Sequence, residues 1–161
     1  MKSFKYLYDY YPEPVRDFTE DQLLIREDIQ AFMTGVTSNN LLTAIEKAVT
    51  ETVENEKIDL VCFAPGSTGA KTILRFGELA DRLSTILPCD VYLDAVTLAS
   101  DTDPATQERQ YQCNKSRVID KKVLVVGSIY STGKSMDTIS KLLLKNKAKS
   151  VYGLFVAKTI N

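Results

Sequence analysis

The sequence contains no histidine. A Ser-His-Asp triad and a Cys-His pair are therefore excluded, as are zinc-protease helices and zinc deaminases, which need imidazole ligands. Any proton transfer falls to Asp, Glu, Lys, Tyr, Cys or the substrate itself. Cysteine is scarce. Cys62, Cys89 and Cys113 are odd in number and widely spaced, which is not a disulfide framework. Cys62 lies in an apolar run and reads as a small core hydrophobe. No run reaches the ~18 apolar residues of a membrane span. The opening MKSFKYLYDYY lacks the apolar core of a signal peptide. An excess of one charge is missing too, since 20 Lys+Arg face 21 Asp+Glu. Such a balance gives no electrostatic footprint for duplex nucleic acid. The expectation is a soluble, cytoplasmic protein with neither membrane nor duplex nucleic acid as a partner.

What is present suits one domain. The chain has 161 residues, 44% of them hydrophobic, and a domain of this size buries roughly 68–70% of its unfolded surface. Residues 1–56 read as a strand and two helices. Phe4, Tyr6, Tyr8 and Tyr10 alternate as in a half-buried strand, stopped by Pro12 and Pro14. Their cluster is either a ligand-stacking platform or ordinary packing. Thr19 and Gln22 form a capping box for the first helix, and Gly35 is a sensible stop. The second helix starts near Ser38 and Asn39. Its apolar stripe includes Leu42, Ile45, Val49 and Val53. Its other face, with Glu46, reads as solvated surface.

Residues 57–161 read as the core. Ile58 to Phe63 is a nearly continuous apolar run, as in a strand covered on both faces. A turn-rich loop from Ala64 to Gly69 leads to a helix over about 71–87. Val91 to Leu98 is a third strand candidate. Residues 99–118 are polar and irregular, a lid-like loop. The next strand occupies 121–126 and is followed by a loop over Gly127 to Gly133, a helix over 134–145, and a closing strand over 151–157. Two strand–loop–helix units predict an α/β fold, a three-layer sandwich with a mostly parallel sheet. Ligands of such sheets bind at the carboxyl ends of the strands, where both loops lie.

The second loop carries small residues, the hydroxyls of Ser131, Thr132 and Ser135, and a helix N-terminus. Free N–H groups and the helix dipole there suit a phosphate. Gly133, Lys134 and Ser135 look like the end of a Walker A loop. The first glycine of that motif would fall on Ser128, and no Walker B aspartate follows a separate strand. An ordinary strand–helix turn with a Ser/Thr cap is the other reading.

The stretch from Val123 to Met136 resembles the phosphoribosyl pyrophosphate signature of type I phosphoribosyltransferases: an apolar strand, a pair of positions, three mixed residues, then Thr132 and Gly133 opening a helix. Lys149 to Thr159 resembles that family's next strand. Asp59 to Ser67 resembles the pyrophosphate-loop strand of its ComF-like branch, and Arg75 with Phe76 continues the likeness. Gln112 to Arg117 resembles the segment before the signature strand. The resemblance spans residues 56–159 and implies a phosphoribosyltransferase-like fold. It implies a 5′-phosphate cradle at Tyr130, Ser131, Thr132, Gly133, Lys134 and Ser135. It implies pyrophosphate contacts at Pro65, Gly66, Ser67, Lys71 and Arg75, with a lid bringing Arg109, Lys115 and Arg117. It implies Mg²⁺ bound through the substrate pyrophosphate, a phosphoribosyl or nucleotide ligand, and a homodimer of the kind related transferases often form.

The family's acidic pair, which clamps the ribose hydroxyls, falls here on Gly127 and Ser128. Charge-assisted hydrogen bonds worth ~1.5–3 kcal/mol each are lost with it. Expected is a protein that binds a phosphorylated ribose with weakened or absent transfer. An active transferase and a non-catalytic interaction module are the alternatives. Asp94, Asp101, Asp103 and Asp120 are available as replacement carboxylates, and spacing places none of them at the clamp. Restoring acids at 127 and 128 should strengthen binding if the geometry survives.

Overall fold

A computed structural model describes residues 3–12, 18–100, 105 and 109–160. Pro14 and part of the lid segment, with Asp101 and Asp103, lie outside the described residues. The central sheet has five strands in the order β1-β7-β6-β2-β3, every neighbouring pair parallel. They are β1 (Phe4–Tyr10), β2 (Leu60–Phe63), β3 (Asp90–Val91), β6 (Lys122–Tyr130) and β7 (Ser150–Thr159). A short antiparallel pair, β4 (Val96–Leu98) with β5 (Tyr111–Cys113), lies apart from it. The helices are α1 (Glu20–Met33), α2 (Asn39–Glu56), α3 (Gly69–Ile86), the single turn α4 (Lys115–Val118) and α5 (Lys134–Lys145).

Strand alternation sorts the core into two layers. Val61, Phe63, Leu124, Val126, Leu154 and Val156 meet Ile29, Phe32, Ile45, Val49, Phe76 and Leu83 of α1, α2 and α3. On the other face, Leu60, Cys62, Val123, Val125 and Phe155 meet Met136, Ile139 and Leu143 of α5, with Val96 and Val118. β2 and most of β6 are buried on both sides, which explains why they read as unbroken apolar runs. Burial also pushes the Cys62 thiol pKa up, as expected for an inert core cysteine.

The helix caps follow the sequence. Thr19 and Gln22 exchange both capping-box bonds, and Ser38 caps α2 through the Leu41 amide. Glu46 is not on a purely solvated face, because it pairs with Arg82 across the α2–α3 contact. The tyrosine strand packs at the sheet edge. Phe4 stacks on Tyr130, with ring centroids 4.2 Å apart, and the Tyr10 hydroxyl accepts from Gln30. Tyr6 stays on the surface beside Lys158, while Tyr8 borders hollows between β1 and α1.

Three expectations need correction. The 91–98 strand is two strands in different sheets, because the chain leaves the main sheet after Val91. The segment 99–118 is not irregular throughout, since it contains β5 and α4. Finally, β6 does not stop at Val126. β7 runs on beside it and pairs Gly127 with Phe155 and Tyr130 with Lys158. The clamp positions are therefore strand residues, and the loop shrinks to Ser131, Thr132 and Gly133.

Candidate functional site

Chain direction locates the site. From β2 the chain moves through α3 to β3 on one side of β2. From β6 it moves through α5 to β7 in the opposite direction. The two helices lie on opposite faces. The crevice between the adjacent carboxyl ends of β2 and β6 is thus the topological switch point of the sheet, where open α/β folds bind ligands. Both loops singled out in the sequence open there.

The β6–α5 loop has the character of an anion cradle. Gly133 is the N-cap of α5 with φ +84, and no side chain caps this helix from that position. Thr132 Oγ1 accepts from the Lys134 amide at 3.2 Å. The remaining first-turn N–H groups are left to an outside acceptor. A hollow of about 80 Å³, lined among others by Ser131, Thr132, Gly133, Lys134 and Ser135, lies over the loop. That is far below the ~300–1,000 Å³ of a whole-ligand pocket and suits one small group. Tyr130 shapes one wall. Its ring is held between Phe4 and Phe155, and its hydroxyl lies where a Cβ on residue 133 would stand. Glycine is demanded at 133 twice, by φ and by this contact.

In the β2–α3 loop several polar groups are already paired internally. The Gly66 amide donates to Thr72 Oγ1 at 2.9 Å, and the Thr72 hydroxyl donates to the Thr68 carbonyl at 2.9 Å. Thr68 caps α3 through the Lys71 amide. Pro65 and Gly66 are buried, while Lys71 is exposed.

Arg75 lies beside this loop. Its Nη1 donates to Ser128 Oγ at 3.3 Å and its Nη2 to the Met33 carbonyl at 3.1 Å. A Cβ on Gly66 would lie 3.5 Å from Nη1. One guanidinium thus ties the end of α1, the β2 loop and the second clamp position together. Its Nε is buried without a partner, and an unmade buried donor costs ~1–3 kcal/mol. Among the described residues no carboxylate pairs with it. Arg109 Nη1 reaches the Pro65 carbonyl at 3.4 Å, which brings a second guanidinium close. Burial first, and the Arg109 charge second, hold Arg75 below the ordinary arginine pKa.

Other expected residues are elsewhere. Lys115 and Arg117 belong to α4, which precedes the amino end of β6. Arg117 is also engaged, with Nε 3.0 Å from Asp94 Oδ1 and Cζ 3.8 Å from the Tyr92 ring centre. The structure therefore assigns these two no place at the loops, and a cation already paired with a carboxylate is a poor pyrophosphate ligand. Asp94 is consumed in that pair, and Asp120 sits at the amino end of β6. Neither replaces the clamp. Nor can an acid simply be restored at 127, because a Cβ there would overlap the Phe155 ring. The Arg75–Ser128 contact, 53 residues apart, is the feature that sequence reasoning missed.

Mg²⁺ finds little to hold it. Among the described residues no cluster of three or more Cys, Asp or Glu side chains stands together. The clamp positions carry glycine and serine, and guanidiniums occupy the adjoining space. Mg²⁺ sites on phosphate ligands ordinarily draw on one or two carboxylates, and the clamp positions supply none.

No family model and no curated protein matches the chain. Solved structures do. A purine phosphoribosyltransferase from Pyrococcus horikoshii Ot3 is 19% identical, with TM-score 0.52 over 75% of each chain. A hypoxanthine phosphoribosyltransferase from Staphylococcus aureus is 20% identical, with TM-score 0.50 over 84% of this chain and 74% of that one. The chain has the type I phosphoribosyltransferase fold.

Proposed function

We propose that this protein binds a phosphorylated ribose at the β2–β6 switch point, with weakened or absent phosphoribosyl transfer. The observation that carries the reading is the placement of the two loops. Each follows the carboxyl end of one of two adjacent parallel strands, and Arg75 spans the gap between them. The α5 N-terminus suits the 5′-phosphate, held by the loop amides and by Thr132 or Ser135. Lys71, Arg75 and Arg109 suit a second anionic group. The sugar lies between them, where Ser128 offers a hydroxyl and no charge.

The same geometry supports weak or absent transfer. Phosphoribosyl transfer builds positive charge at the sugar's anomeric carbon as pyrophosphate leaves. Carboxylates nearby would stabilise that charge. Here the nearest built charge is a guanidinium, which opposes it. Binding and turnover are thereby separated.

Titration calorimetry with ribose 5-phosphate, phosphoribosyl pyrophosphate and ATP tests this reading, followed by a nucleobase screen for pyrophosphate release. Saturable binding of both phosphoribosyl compounds, with little or no release, is expected. Rapid release with one base identifies an active transferase instead. Silence from every ligand on folded protein leaves only an interaction module with this fold.

A further inference from the structure

The two anion loci of the site differ in the charge that reaches them. At α5 the donors are backbone amides left open by Gly133. At the β2 loop the Gly66 amide is already taken by Thr72 and the Lys71 amide by Thr68. The cationic side chains that reach this second locus are Arg75 and Arg109. Two guanidiniums held near each other without a carboxylate are mutually repulsive, and a dianion between them removes the repulsion. The guanidinium fork also matches phosphoryl oxygens in pairs.

We propose that Arg75 and Arg109 bind the ligand's pyrophosphate directly, in place of a divalent cation. The inference rests on the phosphorylated-ribose reading above and goes further, since it states how the second anion is neutralised. Mg²⁺ would need carboxylate or water ligands beside the phosphate oxygens. Gly127 and Ser128 supply no carboxylate, and the guanidiniums repel a cation from that space. Ser128 accepts from Arg75, so its own O–H remains able to donate to a phosphate oxygen. Burial and the neighbouring Arg109 charge also lower the Arg75 pKa.

The test is calorimetry with phosphoribosyl pyrophosphate, ribose 5-phosphate and inorganic pyrophosphate, in EDTA and in excess Mg²⁺. The proteins are wild type, Arg75→Gln, Arg109→Gln and Ser128→Asp. In EDTA, wild type should prefer phosphoribosyl pyrophosphate to ribose 5-phosphate by about tenfold or more, the size of one charge-assisted contact. Mg²⁺ should not improve this preference. Arg75→Gln and Arg109→Gln should each shrink it by about tenfold. Ser128→Asp should shrink it as well, by pairing with Arg75.

A preference that appears only with Mg²⁺ overturns the proposal, as does one that survives both arginine changes. If Arg75→Gln does not fold, the exposed Arg109 gives the same comparison. The failure of the underlying reading looks different, with ribose 5-phosphate not binding in either buffer. The guanidinium pair is then judged on inorganic pyrophosphate alone. Binding in EDTA that is lost in the Arg109→Gln protein upholds it, and no binding in EDTA overturns it.

Discussion

At the scale of single residues, the site is governed by close approaches that leave no room for the usual chemistry. Gly127 lies against Phe155, which also packs edge-on to Phe4 and Tyr130. Gly127→Asp must push that ring aside and bury a carboxylate among aromatics, at a cost of at least ~2 kcal/mol. Urea denaturation should show a correspondingly lower midpoint. The same change made with Phe155→Ala should cost less, because the ring is the obstacle. Equal cost in both backgrounds would show that the ring does not govern position 127. The glycine itself was legible as a departure from the acidic pair. Its cause was not, because Phe155 is 28 positions away in the sequence and is brought opposite Gly127 only by strand register. Arg75 is a similar case. Its type and place were readable as a pyrophosphate contact, whereas its bond to Ser128 depends on α3 lying over the end of β6.

Elements show a different balance. Thr19 and Ser38 were readable as caps because capping is local chemistry. The length of β6 was not readable. Gly127 and Ser128 look like the start of a loop, and only β7 running on to Thr159 keeps them in the sheet. The break between β3 and β4 was hidden for a like reason. Tyr92 and Asp94 are drawn to Arg117, which comes from the far end of the lid segment. The β2–α3 loop makes its own prediction. Thr72 Oγ1 both accepts from Gly66 and donates to Thr68, so Thr72→Val keeps the shape and removes both bonds. A loss of ~1–3 kcal/mol in thermal or urea unfolding is expected, since a buried amide loses its acceptor. Pyrophosphate affinity should fall with it, as Gly66 is freed to move against Arg75. An unchanged stability would mean that the loop is held by something other than this hydroxyl.

For the molecule as a whole, the three-layer plan was legible from alternation alone. Strand–loop–helix units over 58–87 and 122–147 require parallel pairing. Because the β2–β3 and β6–β7 crossovers run in opposite directions, their common handedness places α3 and α5 on opposite faces. What alternation could not supply is strand order. The adjacency of β2 and β6 makes their loops neighbours, and it comes from a chain excursion through β3, β4, β5 and α4. The switch point follows from that adjacency. Its charge is lopsided, with Lys71, Arg75, Arg109 and Lys134 around the two loops and both clamp positions uncharged. A site of this kind favours holding polyanionic sugars over activating them.

The measurement that bears most directly on this is a titration of nitrogen-15-labelled protein with ribose 5-phosphate, followed by amide chemical shifts. Saturable shifts at Ser131 to Met136, with smaller ones at Gly66 to Thr72 and at Ser128, are expected. Shifts confined to the β1–α1 hollows around Tyr8, or no shifts at all from folded protein, would contradict binding at the β2–β6 switch point.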